Sequence, residues 1–282
     1  MIELAAGAWR AALRPETGGC LAALERDKLP VLRKMADGAD HPLQSACFPL
    51  VPYCNRIAEG RFTFAGHAVE IAPNLPPQPH PLHGLGWLRP WRVVRSDATS
   101  ALLEHAHDGS GEWPWAYVAH QHVALDEAGC TVRLMVRNAA PETAPIGLGL
   151  HPYFRRAPET TVRFDAETML GIDAELLPDG MRHPSGALGD WNAGTELPGV
   201  LADHCFAGWS GSATITDARG TIALRGFGAP HCHVYAPPGG GELCLEPINH
   251  TPDALNRAPE TMPVVQPGCA AGIAMRIEAT PH

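Results

Sequence analysis

Three stretches of this 282-residue chain gather side chains of the kind that move protons. In PHPLHGLGW, His83 follows a proline-rich run and precedes two closely spaced glycines, which hold its backbone in tight, irregular geometry. In GLGLHPYFRR, His151 has glycines before it and Pro152 behind it, then Tyr153 and Phe154. Proline disfavours helix for the residue before it, so the direction of the His151 side chain is restricted. The adjacent rings offer a face for a sugar's C–H groups and a means of excluding water. In GELCLEPINH, Glu246 follows Leu-Cys-Leu, which places a carboxylate at the rim of a buried strand where desolvation lifts its pKa. Asn55 and Arg56 in VPYCNRIAEGRFTFAG, and Asp203 in LADHCF, are polar groups set among apolar or turn residues. An acid, a base and several hydrogen-bonding groups are the minimum for proton-transfer chemistry on a polar substrate.

Other histidines fit blander roles. His120 and His122 alternate along a strand-like run, as do His231 and His233, so each pair shares one face. A His-x-His pair can ligate a metal, but neither has an Asp, Glu or Cys at a companion spacing. The expectation is therefore solvated or core-satisfied histidines and no metal, with a cupin-like metal enzyme only weakly supported. The eight cysteines form no Cys-x-x-Cys pair. MIELAAGAWRAALRP has neither the basic region nor the apolar run of a signal peptide, so reduced, mostly buried thiols in a cytoplasmic protein are expected.

The elements that must position these groups read as β-strands. Alternating runs at Tyr117–Leu125 and Cys130–Val136 are joined by DEAG, and Thr214–Ile215 and Thr221–Leu224 flank TDARG. His231–Tyr235 and Glu242–Glu246 bracket PPGGG; further runs are Ala8–Leu13, Trp91–Val94, Ala101–His105 and Gly272–Glu278. Helical periodicity is almost absent, with one or two turns at most in Pro252–Pro259. Pro73–Pro81 reads as an extended surface loop. No repeat or linker divides the chain, so residues 1–282 are expected to form a single all-β domain, a large antiparallel sandwich. The formal net charge of −9, with no cationic cluster longer than a pair, argues against nucleic acid and anionic membranes as partners. No run reaches the roughly 20 apolar residues of a membrane helix.

With these residues in view, the chain resembles the aldose 1-epimerases (mutarotases) of the galactose-mutarotase-like family. The resemblance rests on NRIAEGRFTFAG, PHPLHGLGW, GLGLHPYF, LADHCF and CLEPINHTPDALN, in that order, over about residues 45 to 260. It implies a galactose-mutarotase-like supersandwich, a small sugar as substrate, no cofactor, and a monomer or homodimer. It also implies roles: Glu246 as general base, His151 as general acid, His83 as the second active-site histidine, and Arg56 and Asp203 as residues that hold the sugar hydroxyls; Asn55 and Tyr153, their neighbours in the motifs, complete the expected substrate-binding set. The run after the glutamate, EPINHTPDA, departs from the best-known members. The implied reaction takes the anomeric hydroxyl proton, protonates the ring oxygen, opens the ring and closes it on the other face. Free pKa values near 4.3 and 6.5 then suggest Glu⁻ and HisH⁺ near neutrality. Arg56 and Asp203 suit the vicinal hydroxyls of a neutral pyranose. Arg155 and Arg156 are the place where a 6-phosphorylated or 6-sulfonated hexose would be held. Rival expectations are a non-catalytic carbohydrate-binding sandwich and a glycoside hydrolase or lyase, the latter wanting a second convincing carboxylate.

Overall fold

The computed structural model describes residues 1–281. Two large antiparallel sheets dominate it, one of eleven strands and one of nine. The nine-stranded sheet carries the clean alternation read in the sequence. Tyr117–Leu125 buries every second side chain and pairs along its whole length with Gly129–Asn138. Gly220–Phe227 and Ala270–Pro281 continue that sheet. Apolar faces of both sheets meet in one core containing Trp9, Leu103, Val123, Leu134, Ile222 and Leu245. Burying such faces at roughly 25 cal/mol per Å² is what holds two sheets together.

The eleven-stranded sheet positions the polar residues. Five neighbouring strands matter: Cys47–Leu50, Gly149–Phe154, Leu243–Ile248, His231–Ala236 and Ala202–Ala207. Their second face carries a smaller buried cluster that includes Phe48, Tyr153, Cys205, Cys244 and Ile248.

The HPYF segment, which is not among the strand-like runs of the sequence, is a fully buried interior strand. A central strand tolerates Pro152 because its ladder with Leu243–Ile248 is interrupted between the pairs Gly149↔Ile248 and Tyr153↔Cys244. Pro152 and Pro247 both fall in that interruption, where a missing N–H costs no ladder bond. The segment 252–259 forms the single helical turn Ala254–Arg257 and leads into a 3₁₀ turn at Pro259–Thr261. All eight cysteines are unpaired, seven of them buried. Among the described residues, no helix is long and apolar enough to cross a membrane.

Candidate active site

Alternation along the five strands puts Phe48, His151, Glu246, His233 and Cys205 side by side on one face. Pairing sets His151 opposite Phe48, His233 opposite Glu246, and Cys205 opposite His233. At the ladder interruption His151 Nε2 lies 3.2 Å from Glu246 Oε1, with both side chains buried. His151, Glu246 and His233 of this row line a cavity of about 280 Å³, together with Asn55, Arg56, His83, Tyr153, Asp203, Tyr235 and Glu242. All seven residues singled out in the sequence thus line one cavity. A larger cleft of about 600 Å³ elsewhere is floored by alanines such as Ala11, Ala12 and Ala22. It has no comparable convergence of buried titratable groups.

The His151 ring is clamped. It stacks on Phe48 at 4.6 Å between ring centroids and on Tyr153 at 4.7 Å, and Phe48 stacks in turn on Trp87 at 5.4 Å. The Arg33 guanidinium caps the far side, 3.5 Å from the Tyr153 ring centre.

His83 occupies the left-handed region at φ 61°, as does Asn55 at φ 58°. Such geometry costs of order 1–3 kcal/mol per residue and persists only where surroundings enforce it. Here the backbone N–H of His83 donates to the Asn55 carbonyl, and that of Asn55 donates to His83 Nδ1. Gly84 must be glycine, since a Cβ would lie 2.2 Å from the Val51 carbonyl oxygen at a φ of +73°. With Nδ1 accepting, His83 carries its proton on Nε2, and burial pushes its pKa well below the usual range. It is a neutral donor.

The sequence run that departs from the best-known pattern is structural. His250 accepts a hydrogen bond from the Cys54 N–H at 2.9 Å, bracing the loop that carries Asn55 and Arg56. Its ring packs so closely on Gly147 that a Cβ there would stand 2.2 Å away. Arg56 is buried with its Nε unpartnered among the described residues and its Nη1 3.4 Å from Asn55 Oδ1.

His233 is the residue that sequence reasoning missed. Its Nε2 lies 2.6 Å from Asp203 Oδ1 and 3.5 Å from Asn55 Nδ2. Burial alone would lower its pKa, but the Asp203 hydrogen bond and the charges of Glu246 and Asp203 outweigh burial and raise it. Asp203 stays below the usual carboxylate range for the reciprocal reason: burial raises it, while the His233 bond and the charges of His233 and Arg56 lower it further. His231 stands apart from the cavity, and burial takes it down to about 4. His120 points outward to Glu104, 3.0 Å away, and His122 lies two positions along the same strand.

The protonation expected for the central pair is also corrected. Burial pushes Glu246 up to about 8 and His151 down to about 3. Burial therefore favours neutral GluH beside neutral His over Glu⁻ beside HisH⁺. Both descriptions hold the same single proton and differ only in which side of a 3.2 Å contact it occupies. One metal-type cluster arises from the described residues: His151, Cys244 and Glu246 offer ligand atoms within 4.8 Å of one another.

Arg155 and Arg156 do not line the cavity. The chain leaves the sheet after Phe154, and Arg155 forms a two-pronged ion pair with Asp217, both bonds 3.0 Å. Arg156 donates to the Pro237 and Glu242 carbonyls, bracing the PPGGG turn. Arg155→Ala should thus leave catalysis unchanged and cost about 1–3 kcal/mol of stability, because Arg219 still holds the 1%-exposed Asp217. Thermal melting beside a turnover assay checks both halves.

Fold and site together define a large antiparallel β-sandwich with a buried polar cavity on one sheet. The aldose 1-epimerase family model matches residues 1–277, and the chain belongs to that family. The uncharacterized protein YphB of Escherichia coli K12 is 31% identical over 260 residues, 86% of each chain. A crystal structure from E. coli K12, provisionally described as an aldose 1-epimerase, superposes with a TM-score of 0.91 at 28% identity, covering 99% of this chain and 98% of that one. A GalM/aldose epimerase homologue from C. elegans has the same fold, with a TM-score of 0.84 at 17% identity over 99% and 98% of the two chains.

Proposed function

We propose that this protein interconverts the α and β anomers of a free aldose by acid/base-catalysed ring opening and closure. The observation that carries the reading is the buried His151–Glu246 contact of 3.2 Å in the floor of a polar, sugar-sized cavity. Opening a pyranose needs one group to take the anomeric hydroxyl proton and another to protonate the ring oxygen. Rotation about C1–C2 and closure then reverse both transfers. A pair sharing one proton completes that cycle without a metal or an organic cofactor.

The surrounding groups fit the task. His83, fixed as a neutral Nε2–H donor, offers a hydrogen bond to a substrate oxygen without competing for the shared proton. Arg56 and the His233–Asp203 pair present donors and acceptors for ring hydroxyls, with Asn55 between them. Tyr153 and Phe48 hold the His151 ring plane where about 1 Å of misplacement matters. Asp203 is tied to His233, which weakens the two-carboxylate hydrolase alternative.

The test is direct. Freshly dissolved α-glucose or α-galactose should equilibrate by polarimetry or NMR faster with catalytic amounts of protein than in buffer, with no hydrolysis product. Binding without acceleration across a panel of aldoses would leave a carbohydrate-binding module instead.

A further inference from the structure

The mouth of the cavity carries a group that the acid/base cycle does not use. Glu242 lines the cavity at half exposure, and it precedes Cys244 and Glu246 at same-face spacing. At about 3.3 Å per residue its Cα stands roughly 13 Å from that of Glu246. One sugar ring and its exocyclic group fit between the two carboxylates. The Arg33 Nη1 donates to Glu242 Oε1 at 2.5 Å. Two further bonds anchor Arg33: Nε donates to the Ser45 carbonyl at 2.9 Å, and Nη2 to the Leu43 carbonyl. Arg33 itself is not a lining residue; it holds Glu242 and caps Tyr153. What the mouth presents is the second carboxylate oxygen of Glu242, the first being held by Arg33, which is itself anchored at all three of its nitrogens.

We propose that Glu242, fixed by Arg33, is a specificity-determining residue that accepts hydrogen bonds from the hydroxyl end of a neutral sugar and rejects sugars anionic at that end. The inference rests on the epimerase reading for the orientation of the sugar, with its anomeric centre at His151 and Glu246. A carboxylate offers acceptors only, so it pairs with a hydroxyl and leaves a phosphate or sulfonate oxygen facing another acceptor with no proton between them. No lining residue supplies a compensating cation at the mouth, since Arg56 lies inside beside Asn55 and Arg155 and Arg156 are committed elsewhere. Selection here works by mismatch as much as by attraction.

The experiment compares glucose with glucose 6-phosphate, by anomer exchange and by calorimetric binding, for the wild type and Glu242→Gln. The amide keeps an acceptor and adds a donor. The wild type should favour the neutral sugar by tenfold or more in kcat/KM. In Glu242→Gln the KM for glucose should rise a few-fold, that for glucose 6-phosphate should fall about tenfold, and kcat should hold for each. Such opposite movements are not produced by a merely structural role. A wild-type preference for the phosphate, or a shift of both sugars in one direction, overturns the proposal. Absence of turnover on either sugar would sink the epimerase reading instead, and the binding constants of the same two ligands still decide the role of Glu242.

Discussion

Glu246→Gln and His151→Asn should each slow anomer exchange by about 10²–10⁴-fold, the usual worth of a positioned acid or base. The two losses should not add, because a pair sharing one proton fails as a unit when either member goes. Circular dichroism should be unchanged, since Glu246→Gln is isosteric and His151→Asn keeps a polar side chain on a strand held by backbone pairing on both sides. The pH profile sharpens the prediction. Catalysis needs one proton on the pair, a state bounded by the Glu246 value of about 8 and the His151 value of about 3. In kcat/KM, which reports the free enzyme, activity should hold across neutrality and fall as the pH passes 8 and the pair loses its proton. Ordinary free values would have ended the plateau near 6.5. A profile already falling at pH 7, or a variant keeping a third of wild-type turnover, would refute the assignment.

The same burial makes Glu246 a liability to the fold, and the second large effect follows from it. A carboxyl raised from 4.5 to about 8 binds its proton more tightly folded than unfolded. Stability is then fully present below pH 4.5 and is lost as the pH rises through about 8, at 1.36 kcal/mol per pH unit within that window. His151 works the other way: with its folded value near 3 against 6.5, its contribution grows as pH rises from 3 to 6.5 and is flat above. The two slopes oppose one another between about 4.5 and 6.5, and only the Glu246 slope remains from 6.5 to 8. Glu246→Gln, which cannot ionise, escapes it. Between pH 5 and pH 8.5 the variant should gain about 3–5 kcal/mol over the wild type, on the order of 10 °C in melting temperature. Urea midpoints for both proteins at several pH values decide the matter, and parallel pH curves would show that Glu246 titrates normally. The inactive variant should be the sturdier protein.

Much of this was legible in residue order. The alternation of Tyr117–Leu125 and the DEAG turn announce a half-buried antiparallel hairpin, because period two is the signature of a pleated strand. The seven candidate site residues share one cavity because their motifs combine polar groups with backbone constraints that few structural roles need. His233 was not legible in this way. Counting outward from the PPGGG turn would set Tyr235 opposite Leu243 and His233 opposite Leu245, whereas the observed register is shifted by one residue and sets His233 opposite Glu246. The strand character of HPYF was hidden by Pro152, since the ladder gap that tolerates it belongs to two strands distant in sequence. The Arg155–Asp217 pair and the protonation of His151 and Glu246 depend on neighbours brought together only by folding. Local sequence carries neither.

The row from Phe48 to Cys205 owes its spacing to backbone pairing, whereas Glu242 sits just outside the strand Leu243–Ile248, beside the PPGGG turn that Arg156 braces. Chemistry and choice of substrate are therefore written on separate parts of the scaffold. A change in the length or composition of that turn can redirect recognition while the proton-transfer row keeps its geometry, because register in the sheet interior is insensitive to what happens at its rim. Such insulation lets a lineage explore new sugars by loop drift alone, with the reaction held constant as the ligand changes.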